Sequence, residues 1–275
     1  MYLSPQQMAL ADQAITETFQ NCSIAWQAIP HWDTGDPGAT KVRNDVVNAP
    51  GFIPIDTADE AFQVTLVQTA DPTSDALMNE IIAATTQLAA VFDDAVLNTL
   101  VAAWGYVGTF TGSQQGLLNA LIDARAFVED HGFRAPSCLT TNTAGLKVLS
   151  SLKYGYPIVD SLLGTAHVNS LHRTSKWYQL GAAVKEDGSA PNTPVQLPVP
   201  AMVLLGRRQL IPHGGAYDAS PGEEPVDLAV SVKPSLEVLG ETPPSQIEMS
   251  VRIRYALRVK DKGAVAVLVG DPVVP

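Results

Sequence analysis

Ile24-Ala25-Trp26-Gln27-Ala28-Ile29-Pro30-His31-Trp32-Asp33-Thr34-Gly35-Asp36-Pro37-Gly38 opens the stretch on which the fold turns. Ile24 to Ile29 alternates apolar and polar residues as a half-buried strand does, and so does Phe62-Gln63-Val64-Thr65-Leu66-Val67. Between them stand the breakers of 30–38 and a second set, Asn48-Ala49-Pro50-Gly51. A connection this long is rare inside a compact domain. If exposed, Trp26, Ile29, Trp32, Phe52 and Ile55 would make an apolar patch that a monomer should not tolerate. A projecting β-hairpin arm over residues 22–72, lying on a neighbouring subunit, reconciles these features. The expected contact residues are Trp26, Ile29, His31, Trp32, Asp36, Lys41, Arg43 and Phe52.

Helices are expected on both sides of the arm. Upstream, Ser4 can cap, Pro5 suits a first turn and Gln7 can reach back to complete a capping box. Met8, Ala11, Ile15 and Phe19 then recur at helical spacing, predicting a helix over 5–20 whose packing residues are Met8, Ile15 and Phe19. Downstream, Asp71-Pro72-Thr73-Ser74 reads as a helix start. The stripe Leu77, Ile81, Ala84, Leu88, Phe92, Ala95, Thr99, Ala103 runs to Gly105. A helix of about thirty residues would be roughly 45 Å long, a spine well above average length.

Gly105, Gly108, Gly112 and Gly116 suggest a turn, followed by a helix from about Leu117 to Asp130. Ser137 to Thr140 reads as a short strand and Thr143 to Leu152 as a small helix. Residues 153–225 are rich in breakers, with short strands such as Met202 to Leu205, and predict a loop-rich α+β subdomain. The clearest β signal comes last. Ile247, Met249, Val251, Ile253, Tyr255, Leu257 and Val259 alternate with Glu248, Ser250, Arg252, Arg254, Ala256, Arg258 and Lys260. Asp261-Lys262-Gly263 predicts a turn that returns Ala264 to Val269 as the partner strand, with further strands at Val226 to Val232 and Leu236 to Leu239.

Chemistry-bearing motifs are scarce. The sequence has no phosphate-binding G-x-x-x-x-G-K-[ST], no G-x-G-x-x-G and no G-x-S-x-G. The five histidines (His31, His131, His167, His172, His213) have no H-E-x-x-H spacing, and His167 and His172 fall in an expected loop. They read as ordinary surface or hydrogen-bonded residues. Asp93 and Asp94 are helix neighbours about 100° apart, which cannot share one substrate bond and read as a solvated face. His31-Trp32-Asp33 lacks a third catalytic group and reads as a subunit contact. Arg252, Arg254 and Arg258 share one strand face with Lys260, where phosphate binding competes with pairing to Asp or Glu. A formal charge of -11 disfavours general attraction to nucleic acid, so charge pairing is expected. Cys22 and Cys138 are too few for a disulfide framework and predict free thiols. The start Met1 to Gln6 has neither the basic nor the apolar segment of a signal peptide, and Ala264 to Val269 is too short to span a bilayer. A soluble chain made in the cytoplasm, with no cofactor, no metal and no enzymatic activity, is the expectation.

The order of parts resembles the shell-protein fold shared by tailed-phage major capsid proteins and encapsulins of the linocin type. Ala90-Val91-Phe92-Asp93-Asp94-Ala95-Val96-Leu97 looks like the end of the encapsulin spine helix. Gly155-Tyr156-Pro157-Ile158, followed by Leu162-Leu163, is similar to a segment of the encapsulin axial domain. Pro225 to Val230 and the strand through Arg258 look like the family's final peripheral strands. Residues 175–200 depart from the pattern by being longer and richer in proline. The resemblance implies an α+β fold with an N-terminal helix (1–21), an extended arm (22–72), a peripheral domain with the spine helix (73–133 and 223–275) and an axial domain (134–222). It further implies sixty or more copies closing an icosahedral shell. That shell would be a phage capsid in the virion around double-stranded DNA bound without sequence preference, with separate scaffolding, portal or decoration proteins. The alternative is an encapsulin around a cargo enzyme. No covalent crosslink follows, although Lys41 lies in the arm. No membrane partner is implied.

Overall fold

A computed structural model describes residues 3–46, 49–70, 75–111, 113–153, 156–175, 177, 201–212, 216, 218–243 and 245–270. The expected helix start at Asp71 to Ser74, the proline-rich insert 178–200 and His213 lie outside these residues. In chain order the helices are α1 (Pro5–Cys22), α2 (Ile24–Ala28), α3 (Leu66–Ala70), α4 (Asp75–Ala102), α5 (Gln114–Asp130), α6 (Thr143–Leu149) and α7 (Val159–Thr165). The strands are β1 (His31–Asp33), β2 (Lys41–Val46), β3 (Ala49–Pro54), β4 (Asp56–Thr65), β5 (Tyr106–Phe110), β6 (Ala135–Asn142), β7 (Leu152–Lys153), β8 (Tyr156–Pro157), β9 (Val168–Thr174), β10 (Ala201–Arg207), β11 (Val226–Thr242), β12 (Gln246–Val259) and β13 (Val265–Gly270). The fold class is α+β. None of the described helices is long and apolar enough to cross a membrane.

The chain divides into two compact units. The first combines Met1–Val96 with Asp227–Arg258 and contains a four-stranded sheet in the order β1-β11-β12-β4. β4 runs antiparallel to β12 from Asp56 opposite Tyr255 to Thr65 opposite Gln246. The alternation read in β12 holds as far as Tyr255, with Ile247, Met249, Val251, Ile253 and Tyr255 all buried; beyond it the pattern reverses, Ala256, Arg258 and Lys260 being buried while Leu257 and Val259 are half-buried. Helix α1 starts with the expected capping box, Ser4 N–H donating to Gln7 Oε1 (2.9 Å) and Gln7 N–H donating to Ser4 Oγ (3.2 Å). Its stripe Ala11, Ile15, Phe19 is fully buried. Phe19 meets Phe92 of α4 (ring centroids 5.3 Å apart), and Phe92 meets Tyr255 of β12 at 4.6 Å. These aromatic contacts tie the first helix, the spine and the sheet into one core.

The second unit, Leu97–Val226 with Val259–Pro275, is built on a five-stranded sheet in the order β5-β13-β10-β6-β9. β10 is antiparallel to both β13 and β6, while β13–β5 and β6–β9 are parallel. Helix α5, capped by Ser113 Oγ, covers one face with Leu117, Leu121, Ala124 and Val128 against Leu139, Met202, Leu204, Ala266 and Leu268. Gly206 permits this approach, because a Cβ there would collide with Val128 and Phe133. Strands β5 and β13, from segments assigned at first to a peripheral part, thus share a sheet with strands from 134–222.

Several local expectations need correction. Residues 24–28 are a helix, not a strand: Ser23 Oγ accepts from Trp26 N–H (3.1 Å), and Ala25, Trp26, Ala28 and Ile29 are buried at helical spacing. Six residues cannot separate the two periods. Strand β4 stops at Thr65, where Thr65 and Gln68 form a reciprocal cap that starts α3, so Leu66 and Val67 are helical and exposed. The glycine-rich turn contains β5, held by its parallel ladder to β13. Beyond Phe92 the spine buries Val96, Leu97, Leu100 and Val101, whereas Ala95 and Thr99 are exposed. Steps of four from Phe92 keep larger side chains inward. Val226 to Val232 and Leu236 to Leu239 belong to one long strand, β11. Finally, β13 does not pair with β12. After Lys260 N–H donates to Pro225 O (2.8 Å) and Asp261 caps a short 3-10 turn, the chain leaves one sheet for the other. Strand β9 and helix α7 were missed, since Asn169, Ser170, His172 and Thr174 hide the apolar alternation of β9.

Candidate assembly interface

The arm region splits into a root and a tip. At the root, Asp93 of the spine is buried instead of solvated, and its carboxylate caps α2. It accepts from Ser23 Oγ–H (2.6 Å), Ile24 N–H (2.9 Å) and Ala25 N–H (2.9 Å). Its neighbour Asp94 is exposed. Trp26 and Ile29, expected on an outer surface, are buried by their own chain: Trp26 meets Phe19 edge to face (5.5 Å) and stacks on His31 (3.8 Å). Ile55 is buried as well. The Asp93 cap explains the difference, since it turns the segment into a helix that lays both apolar side chains inward.

His31, Trp32 and Asp33 form β1, parallel to Leu228, Ala229 and Val230 of β11. Trp32 is half-buried. Its indole N–H donates to Asp227 Oδ1 (3.3 Å), and the Arg258 guanidinium lies 4.6 Å over its ring. Arg258 also grips Asp227 through two hydrogen bonds, Nε to Oδ1 and Nη2 to Oδ2, both 2.6 Å, with both residues buried. Of the other strand arginines, Arg252 pairs with Glu237 (2.6 Å) at the surface, and Arg254 donates to the carbonyls of Pro37 and Ala39. Asp36 is exposed and its Oδ1 accepts from Gly38 N–H (2.9 Å), shaping the turn before the hairpin.

The tip is the β2–β3 hairpin, a separate two-stranded sheet with Lys41 opposite Pro54 and Arg43 opposite Phe52. Its inward side is apolar: Val42 is buried and Ile53 half-buried, packed with Ile55, Ala229, Ala256 and Trp32. Its outward side shows Lys41, Arg43, Phe52 and Pro54 to solvent. Phe52 is 65% exposed, with the Lys41 ammonium 4.9 Å over its ring. In α1, Met8 is half-buried while Ile15 and Phe19 are consumed by the subunit's own core.

The described residues hold no group of three metal-type ligands. His172 lies on β9, not in a loop. Burial, followed by the nearby Arg207 charge, lowers its pKa, and its Nε2 has no hydrogen-bond partner. Burial raises the Glu224 carboxyl, against the pull of backbone N–H groups of Arg208 and Gln209. Tyr255 is pushed up to about 12 by burial and then by Asp56. His172 and Tyr255 are shifted by packing on strands β9 and β12, and Glu224 by burial in the loop that precedes β11.

No protein-family model matches this sequence, and no curated protein matches it. Solved structures do. The virus-like particle protein of Pyrococcus furiosus superposes over 95% of this chain and 98% of its own at 15% identity (TM-score 0.65). The mature capsid of bacteriophage PhiM1 gives a TM-score of 0.55 at 10% identity, covering 92% of this chain and 88% of that one. An encapsulin from Synechococcus elongatus PCC 7942 gives 0.50 at 12% identity, over 87% and 84%. These superpositions cover 87% to 95% of this chain, so it has the shell-protein fold of tailed-phage capsids and encapsulins.

Proposed function

We propose that this chain is a structural subunit that assembles with many copies of itself into a closed icosahedral shell, as the major capsid protein of a tailed bacteriophage around double-stranded DNA. One observation carries the reading. The Lys41–Pro54 hairpin is a two-stranded sheet of its own with Phe52 facing water. Among the described residues the hairpin pairs with no third strand, so its unpaired edges and the exposed Phe52 ring offer a surface for a partner. Identical copies supply one without a second gene. Lys41, Arg43 and Phe52 are the contact residues of this proposal, and Trp32, Ile55, Ala229 and Ala256 pack beneath the hairpin that carries them. The net charge of -11 suits a wall that does not hold its contents tightly. The division into N-terminal helix, arm, peripheral and axial parts, separate scaffolding, portal or decoration proteins, and a place in the virion belong to the same proposal.

A second reading, an encapsulin around a cargo enzyme, is favoured by the Gly155-Tyr156-Pro157-Ile158 segment. The resemblance would have Met8, Ile15 and Phe19 help form a groove for a cargo peptide, and of these Met8 is half-buried while Ile15 and Phe19 are buried. Negative-stain microscopy of the purified protein tests the shell: closed particles of uniform diameter are expected, and a uniformly monomeric field would overturn it. Portal and terminase genes beside the coding gene would support the capsid form, and a peroxidase or ferritin-like gene the encapsulin form.

A further inference from the structure

Strand β12 carries the hairpin by both of its legs, in two different ways. The outgoing leg continues into β4, whose backbone ladder to β12 begins at Asp56 opposite Tyr255. The incoming leg, residues 34–40, has no ladder to β12. It contains Gly35 at φ +72°, Pro37 and Gly38, and is shaped by short Asx-type contacts. Backbone bonds hold its two ends, Thr34 N–H donating to Val230 O (2.9 Å) and Ile55 N–H to Thr40 O (3.0 Å), and between them the leg is held by a pair of arginines four residues apart on one face of β12. Arg254 Nη1 and Nη2 donate to Pro37 O and Ala39 O, and Arg258 Nη1 donates to Arg43 O (3.0 Å). Arg258 is itself locked by Asp227, a residue preceding the stretch of β11 that pairs with β1, and by the Trp32 ring. Two carbonyls of the leg and one of β2 are therefore referenced to one rigid strand. Only a planar guanidinium can hold a carboxylate with two donors while keeping another for a carbonyl.

We propose that Arg254 and Arg258 are positioning residues that set the direction in which the hairpin leaves its subunit, so that this clamp fixes the angle at which one copy reaches the next. The inference rests on the shell reading and adds to it: the outward residues make the contact, and the clamp determines its geometry. Loss of the clamp leaves the outgoing ladder intact and frees the incoming leg to swing, giving contacts of mixed angle and shells of mixed curvature.

The test uses full-length Arg254→Lys and Arg258→Lys, which keep the charge and remove the fork. Circular dichroism reports folding. Hydrogen exchange reports the amides of residues 41–54, and electron microscopy the particle diameters. The expected result is a folded subunit with exchange of those amides raised at least tenfold, and fewer particles with a broadened diameter distribution. Unchanged exchange, or particles of wild-type diameter in wild-type yield, overturns the clamp. A merely structural role would lower the melting temperature while leaving the diameter of surviving particles unchanged. Should Arg258→Lys fail to fold, Arg254→Lys, which touches only the two carbonyls among the contacts named, decides alone. Should the wild-type protein form no particles, the shell reading falls. Exchange in the monomer then judges the clamp, a tenfold rise supporting it and no rise refuting it.

Discussion

Trp26 and Phe52 belong to the same connection between the first helix and the spine, yet Trp26 is 7% exposed and Phe52 65%. Both are large aromatics expected at the same contact, and hydrophobicity alone does not separate them. Their surroundings do. Trp26 sits on a short helix that the buried carboxylate of Asp93 nucleates, within reach of Phe19 and His31. Phe52 sits on a hairpin whose only strand partner is its own other half, and whose apolar side is already spent on Ala229 and Ala256. The root of the arm is thus part of the subunit's core, and the tip is surface held in reserve. A greasy connection does not have to be wholly internal or wholly shared. Here one buried acid marks the boundary.

This contrast can be attacked from the root outward. Phe92→Ala should have the largest effect, about 3–5 kcal/mol of lost stability by denaturant titration, because Phe92 is fully buried between Phe19 and Tyr255. A loss below about 1 kcal/mol would mean that the aromatic chain is not the core of the first unit. Asp93→Ala should cost about 2–3 kcal/mol, the range for hydrogen bonds to a charged group whose donors are left buried. It should also speed amide exchange in residues 24–29 more than in 41–54. Equal acceleration of both would erase the boundary between root and tip.

Alkaline pH probes the sheet beneath. The Tyr255 phenol is raised from 10.0 to about 12 by burial and by Asp56. The folded state therefore prefers the neutral form, and the unfolded chain ionises first. Stability contributed by this group is complete below about pH 10 and is lost as pH rises from 10 to 12. Tyr255→Phe should flatten that part of the stability–pH curve, and an unchanged slope would refute the assignment.

The smallest effects on the subunit belong at the surface. Arg252→Ala breaks an exposed pair with Glu237 and should change stability by less than about 1 kcal/mol. Phe52→Ser should change it by no more than about 0.5 kcal/mol, as expected of an exposed position, while particle yield collapses. If instead Phe52→Ser unfolds the subunit and spares the particles, root and tip have exchanged roles.

Periodicity longer than about ten residues was legible in the sequence. The stripe of α1, the length of the spine and the alternation of β12 as far as Tyr255 match what their residues announce, because each repeats a period often enough to exclude the other. Short segments were not. Ile24 to Ala28 fits either period, and its choice depends on Asp93, nearly seventy residues away. Strand β9 is buried yet polar, so its Ser170, His172 and Thr174 masked it. The destination of β13 was hidden too, since a turn at Asp261 announces a reversal and not the sheet that receives the strand. At the candidate interface, Lys41, Arg43 and Phe52 were readable as exposed, and the pairing of Arg258 with an acid was expected in kind. The carbonyl contacts of Arg254 and Arg258 were not, because backbone acceptors leave no mark in composition.

Sedimentation velocity of the purified wild-type chain alongside a variant with residues 41–54 replaced by a two-residue turn addresses the central claim most directly. The account predicts a fast, narrow boundary from closed assemblies of the wild type, and a slow subunit-sized species, still folded, from the variant. A wild-type chain that sediments only as a monomer, or a shortened variant that assembles as well as the wild type, would contradict it.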